Sequence, residues 1–377
     1  MRSRRMRGGR HAGDGRKREH CRCARAFEVE SSRVRAPLDG SAMNAYPLVF
    51  EPILKEKVWG GRRLAALGKM LPDGVQVGES WEVADLGATS IEGGGGDAEH
   101  SRIVNGSMRG MTLDEAIRAM GPNLMGLARL SRDGGFPLLV KYLDARENLS
   151  VQVHPSPAYA AAHPGAHLKT ESWYVVAAEP VQGKPPMIYK GVKRGVTREA
   201  FAAHIADNTV VDDLIAVPAV PGDFHHLPSG TCHALGAGVL VAEVQTPSDT
   251  TFRVYDWGRT NRKLHIEEAL ECIDFSGAPL PVSRSDGKER TVLARNEFYG
   301  VDEIRAARGR AVTIEMTDAP VVWMCLRGSG RIESGIGAFV PSRFGAGTTM
   351  LIPAACRNTM PRAVFDEEGT ALEVRVG

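Results

Sequence analysis

Long apolar runs are missing from this sequence. No stretch of about 18 apolar residues occurs, so nothing in it reads as a membrane-spanning helix, and no secretory hydrophobic region is present. Cysteine is scarce, with six in 377 residues. Cys21 and Cys23 lie near the N-terminus; Cys232, Cys272, Cys325 and Cys356 are scattered, without CxxC pairing or framework spacing. That argues against a disulfide scaffold and suits free thiols in the cytoplasm. An excess of one charge is missing too, the net charge being +2. What remains, 43% hydrophobic and 24% charged residues, is ordinary for a globular protein with room for one large or two modest domains.

The balanced charge hides a gradient. Residues 1–43 hold 12 of the 47 Lys and Arg but 5 of the 45 Asp and Glu, leaving a tail of about +7 and a remainder of about −5. The tail is Arg- and Gly-rich and almost free of aliphatic side chains, so it is expected to be disordered. A basic nucleic-acid arm is one reading of it, and a transit peptide would need an apolar face that is absent. The plainest reading is a start assigned too early, with Met43 the initiator, because the first hydrophobic segment follows at once. The mildly acidic body is expected to bind neither nucleic acid nor membrane.

From Tyr46 to Gly110 the chain is turn-rich, with Trp59-Gly60-Gly61, a run of glycines at 93–96, and a strand pattern at Ser80–Val83. Thr112-Leu113-Asp114-Glu115 is a capping box opening a helix with Leu113, Ile117 and Met120 on one face. A second helix is expected from Thr197 to about Val217, with Phe201, Ile205, Leu214 and Ile215 apolar. Nearly everything else reads as short strands, among them Phe136–Leu143, Leu149–His154, Ser172–Ala177, Val239–Gln245, Ala311–Met316 and Val321–Leu326. Short strands at close spacing without intervening helices predict a mainly β sandwich or barrel. The C-terminal part repeats the theme around Gly328-Ser329-Gly330 and Gly345-Ala346-Gly347 without metal-type residues. The expected architecture is two cupin-like (jelly-roll) barrels: a metal-binding domain over 43–275 with helical insertions, and a metal-free one over 276–377.

Leu149-Ser150-Val151-Gln152-Val153-His154 alternates strictly, which puts Ser150, Gln152 and His154 on one face of a strand and the aliphatic residues on the other. Such a strand is polar toward a cavity. Gly222 to His233 has the spacing of a second cupin motif, in which a tight turn at Pro228–Gly230 returns the chain with His233 pointing inward. His225 and His226 are adjacent, so at most one can face a cavity; both read as structural or exposed. Lys169-Thr170-Glu171 supplies a carboxylate at the start of an apolar strand. Two imidazoles, a carboxylate and a further oxygen donor suit zinc, with iron or manganese as alternatives.

These blocks, in this order, resemble the type I mannose-6-phosphate isomerase family in its short bacterial form. The likeness runs from Tyr46 to the C-terminus through Lys141, Ser150-x-Gln152-x-His154-Pro, Lys169-x-Glu171, Pro228-x-Gly230-Thr-x-His233 and Gln245-Thr-Pro-Ser-Asp249-x-Thr-x-Arg253-x-Tyr-Asp256. It implies one zinc ion bound by Gln152, His154, Glu171 and His233, and Arg253 as a catalytic residue. Glu243 stands where the family has an acid considered for proton transfer. Lys141, Ser150 and Lys169 would line the pocket for a hexose 6-phosphate, with Asp256 and Arg259 as further substrate-binding positions. Val254–Arg262 has no lysine-rich phosphate loop, which leaves Lys169, Arg253 and Arg259 eligible for the phosphate.

Isomerisation of an aldose to a ketose passes through an enediolate. A bound metal and a fixed cation such as Arg253 would stabilise its charge, and a base would move the proton. Glu243, Asp256 and a metal-bound hydroxide are candidates for that base. Val241, Glu243 and Gln245 share one strand face, and Lys141 sits in the apolar run PLLVKYL, where an unpaired ammonium would be costly. Competing readings are a cupin metal oxygenase and a non-catalytic sugar-phosphate-binding protein; the fold alone separates none of them. Oligomeric state is open.

Overall fold

The computed structural model describes residues 45–87 and 98–377. The basic tail and the glycines at 93–96 lie outside them. The described chain is mainly β, as expected, and Ala42–Gly377 forms one compact unit. A seven-stranded sheet orders Val282–Ser283, Phe224–Leu227, Glu171–Ala178, Val239–Gln245, Leu139–Ala145, Ile53–Gly61 and Val77–Val83. A five-stranded sheet orders Leu214–Pro218, Met187–Val192, His233–Leu235, Val151–Val153 and Phe252–Tyr255.

The alternation of side chains along each strand sets what lies between and outside these two sheets. In Val239–Gln245, Val239 and Val241 join Trp59, Leu143, Trp173, Ile188 and Leu235 in a core drawn from both sheets. Leu240, Ala242 and Val244 face the other way and pack with Val301, Val322, Met324 and Leu372. Those partners belong to a six-stranded sheet that includes Val321–Arg327, Gly369–Val376 and Tyr299–Ala306. Its outer face meets a four-stranded sheet over a core containing Trp323, Phe344 and Phe365. The division expected near residue 275 is crossed at both ends: Leu48–Val49 pairs with Thr349–Ile352 in the C-terminal sheet, and Val282–Ser283 pairs with Phe224–Leu227.

Local expectations hold where the signal is local. Thr112 caps Leu113–Met120, with its backbone N–H donating to Glu115 at 2.9 Å, and Leu113, Ile117 and Met120 are buried. Ser80–Val83 lies in the strand Val77–Val83. The helix expected to reach Val217 instead stops at Ala206. Asn208 takes a left-handed φ of 60°, and Leu214–Pro218 is a strand paired with Met187–Val192. Val210 and Val211 are stiff, β-branched residues that favour this exit. Phe201, Ile205 and Leu214 still share one core, because either conformation can bury them.

The C-terminal sheets do gather carboxylates, contrary to the expectation of no metal-type residues there. Asp302, Glu315 and Glu373 come together, but Arg290 and Arg375 bridge all three. Guanidinium groups neutralise that cluster.

Candidate metal centre

Three strands and one turn assemble the centre. Gln152 and His154 come from the short strand Val151–Val153 and the residue after it; His233 opens the neighbouring strand and is the register partner of Gln152. The turn at Pro228–Gly230 closes with the Thr231 N–H donating to the Pro228 carbonyl at 3.0 Å, and Gly230 has a φ of 90° that favours glycine. It carries the chain from one sheet to the other, which turns His233 inward. Glu171 starts the opposing strand.

The carboxylate of Glu171 stands between the two imidazoles. Its Oε2 is 3.3 Å from His154 Nε2 and its Oε1 is 3.1 Å from His233 Nε2. The two rings have centroids 4.9 Å apart, and all three residues are buried. Each imidazole is oriented from behind: His154 Nδ1 lies 2.9 Å from the Thr250 carbonyl and His233 Nδ1 2.8 Å from the Thr231 carbonyl. A carbonyl can only accept, so each Nδ1 carries a proton and each Nε2 is the ring atom turned toward Glu171. Burial, aided by the Lys169 ammonium, lowers His154 to about 3, so its ring is neutral. Glu171 is held well below the usual carboxylate range; burial opposes this, but the Lys169 ammonium at 2.8 Å outweighs it.

Two imidazole nitrogens aimed at a buried carboxylate, with outer N–H groups anchored on carbonyls, are the donor set of a divalent metal site. His154 Nε2 and Glu171 Oε1 have no hydrogen-bond partner among the described residues, and Glu171 Oε2 has only the ion pair with Lys169 at 2.8 Å; a cation would satisfy all three atoms. The Gln152 amide nitrogen is placed 3.4 Å from His233 Nε2; rotating the amide about its terminal bond turns the oxygen to the same point.

A cleft of about 290 Å³ opens over this centre, lined by Gln152, Glu171 and Trp173 together with Lys141, Ser150, Lys169, Glu243 and Arg253. Sequence reasoning missed the partners that organise it. Glu243 Oε1 is 3.3 Å from Lys141, and the Trp173 indole donates to Oε2 at 3.0 Å. Lys141 also faces Glu79 at 3.5 Å, and Glu79 in turn pairs with Lys57 at 3.3 Å and accepts from the Trp81 indole at 2.7 Å. Burial raises Glu243 although Lys141 opposes the shift, while Glu79 is held far below the usual range by Lys141 and Lys57 against the cost of burial. Both carboxylates raise Lys141 against its own burial. The strand pattern at Ser80–Val83 began just after Glu79, and only long-range pairing of Trp81 with Lys141 places Glu79 here.

Asp256 and Arg259 do not line this cleft. After Tyr255 the chain turns, Trp257 adopting a φ of 55°. Asp256 is buried as the shared partner of Arg259 and Arg262, at 2.8 and 2.5 Å. Arg259 faces a different hollow with Tyr189 and Trp257, whereas Arg262 lines the cleft beside Arg253. Arg253 is held by Ser150 at 3.3 Å and by the Lys263 carbonyl at 2.8 Å. Of the adjacent histidines, His226 Nδ1 is 2.9 Å from Ser172 Oγ, and His225 is wholly buried away from the cleft lining.

Fold and centre together define a metal-binding jelly-roll protein of the cupin type, with a charged cleft above the metal position. Residues 49–180 match the model of the phosphomannose isomerase type I catalytic domain. A probable mannose-6-phosphate isomerase of Bacillus subtilis (strain 168) is 36% identical over 326 residues, covering 82% of this chain and 94% of its own. A mannose-6-phosphate isomerase of Streptococcus mutans is 34% identical, covering 85% of this chain and 96% of its own. The chain belongs to the type I phosphomannose isomerase family. In fold it is similar to the crystal structure of a mannose 6-phosphate isomerase from Bacillus subtilis, with a TM-score of 0.72 and 26% identity over 88% of this chain and 99% of that one. A zinc-bound mannose 6-phosphate isomerase has the same fold, with a TM-score of 0.66 at 17% identity over 88% of this chain and 100% of that one.

Proposed function

We propose that this chain is a zinc-dependent isomerase interconverting mannose 6-phosphate and fructose 6-phosphate through an enediolate. The observation that carries the reading is the pair of imidazoles, each anchored through Nδ1 on a backbone carbonyl and converging on Glu171. His154, His233 and Glu171, with Gln152 as a fourth donor, would hold the ion. Zinc bound there supplies Lewis-acid stabilisation of the negative charge that develops on the sugar oxygens.

The remaining steps fall to the chain itself. Glu243 is the proton carrier: burial favours its protonated form, and Lys141 and Trp173 fix both oxygens so that a proton taken at C2 can be returned at C1. Arg253, rigidly held, faces the developing charge. Of the cations eligible for the phosphate, Lys169 is engaged by Glu171. Arg262 lines the cleft beside Arg253 and is paired with Asp256; it is assigned the phosphate, which a planar guanidinium group suits. The two pairs of sheets are read as two cupin-like barrels sharing one core. A cytoplasmic location fits the four buried free thiols Cys232, Cys272, Cys325 and Cys356; no helix of the described residues is long and apolar enough to cross a membrane.

The test is a coupled assay of the purified chain on mannose 6-phosphate, before and after chelation and after zinc is returned. Turnover lost on chelation and restored by zinc is expected. Turnover indifferent to a chelator that removes all bound metal refutes the reading.

A further inference from the structure

Antiparallel register places side chains in rows across a sheet. Trp81, Lys141, Glu243, Trp173 and His225 are successive cross-strand partners in the seven-stranded sheet. Arg253, Gln152, His233 and Lys190 are successive partners in the facing sheet. Every residue in a row projects from the same face, so both rows point into the space between the sheets. The first residues of each row line the cleft. The last residue of each, His225 and Lys190, does not. The wall between is made by Trp173 and His233, which meet edge to face with centroids 5.4 Å apart.

Behind that wall the polar groups are short of partners. Lys190 is 1% and His225 0% exposed. The Lys190 ammonium donates to the Pro281 carbonyl at 3.0 Å and makes no ion pair among the described residues. The acid that acts on it, Asp223, is already held by Arg284 at 2.7 and 3.0 Å. Neither ring nitrogen of His225 has a hydrogen-bond partner among the described residues. Both side chains project into the interior between the two sheets, separated from the cleft by Trp173 and His233. Lys190 has two unused N–H groups and His225 one, against a single lone pair on the ring. A buried charge without a counter-charge is costly, and an excess of donors selects an anion over water.

We propose that Lys190 and His225 form a second, internal binding site, for one small monovalent anion of halide size. Its roof is the segment that crosses toward the C-terminal sheets: Pro281 offers its carbonyl to Lys190, Val282 pairs with His225, and Arg284 clamps Asp223. The roof is held by a two-residue strand, the Arg284–Asp223 ion pair, the Pro281 carbonyl and the packing of Leu280, and its opening is the route for exchange. The site lies behind the Trp173–His233 wall and takes no part in the proposed isomerisation, so it can be tested without turnover.

Crystals of the full chain grown without halide and soaked in bromide give the direct reading. An anomalous peak between Lys190 Nζ and the His225 ring is expected. A water-like scatterer without anomalous signal there, or closed packing with no scatterer, overturns the proposal. In solution, replacing gluconate by chloride at constant ionic strength should raise the Tm of the unmodified chain in proportion to the logarithm of chloride concentration once the site is saturating, and Lys190→Met should flatten that dependence. A Tm indifferent to the exchange, or one that responds equally in the variant, would also overturn it.

Discussion

At the scale of single residues, the metal centre makes the sharpest demand. His233 supplies one of two imidazole nitrogens to a buried carboxylate, and alanine there leaves Glu171 and His154 unable to complete a four-donor set. His233→Ala is expected to lose bound zinc, measured by elemental analysis of the purified protein, and with it isomerase turnover. Stoichiometric zinc in that variant would refute the ligand assignment. His225 makes a different prediction, about stability. Its folded pKa is about 4 against an ordinary 6.5, with burial as the main cause and Lys190 adding to it. The unfolded chain therefore binds more protons between these values, so the contribution of His225 is complete above about pH 6.5 and is lost as pH falls toward 4. In halide-free buffer, the unfolding free energy from urea denaturation should fall on acidification by about 1–3 kcal/mol more for the unmodified chain than for His225→Gln; parallel curves for the two proteins would refute it. The residues legible in the sequence are those whose signal is local. Gln152 and His154 are marked by strict alternation and His233 by the Pro-x-Gly turn. Glu79, Lys57 and Arg262 are not marked, because strand register and the turn at Trp257 bring them in.

Elements were read well where one segment decides its own conformation, as at the Thr112 cap, and less well where a partner decides. Leu214–Pro218 has apolar residues compatible with a helix face, yet the open edge of Met187–Val192 takes it as a strand. The crossing of the first two strands of the cleft depends on space rather than pattern. A Cβ on Gly60 would lie 2.5 Å from the backbone nitrogen of Gly78 and 2.8 Å from its Cα; one on Gly78 would lie 2.8 Å from the Trp59 ring. Backbone atoms cannot yield as a flexible side chain can. Gly60→Ala is therefore expected to destabilise the protein by about 1–3 kcal/mol in urea denaturation. Because Lys57, Trp59 and Glu79 line the cleft on these strands, it should also lower kcat/KM while leaving zinc content intact, the ligands lying elsewhere. An unchanged urea midpoint would show that the crossing has slack.

For the whole molecule, strand pattern and two rounds of Gly/Pro punctuation made a mainly β chain and a repeated theme legible, but could not show how the two parts meet. A strand buried on both faces carries the same hydrophobic run whether its second face meets a helix, a sheet or another subunit. Here that face meets the C-terminal sheet. Tyr142, Phe224, Leu240 and Val244 share one core with Tyr299, Val301, Val322, Met324 and Leu372. Polar contacts fix the alignment: Ser172 Oγ lies 2.9 Å from the Tyr299 hydroxyl, and the Tyr174 hydroxyl donates to Glu303 at 2.7 Å. A fragment of residues 43–275 retains all four zinc-donor positions, so if the centre needed only its own strands the fragment would bind metal. It would also expose a large apolar sheet face, and faces of that kind drive aggregation. It would leave Leu48–Val49 without the strand it pairs with and cut away the Arg284 clamp on Asp223. Expressed alone, 43–275 should be insoluble; co-expressed with 276–377, it should be recovered in a soluble complex that holds zinc. A monodisperse, zinc-loaded 43–275 fragment would mean that the two parts fold independently and that the shared core is merely a docking contact.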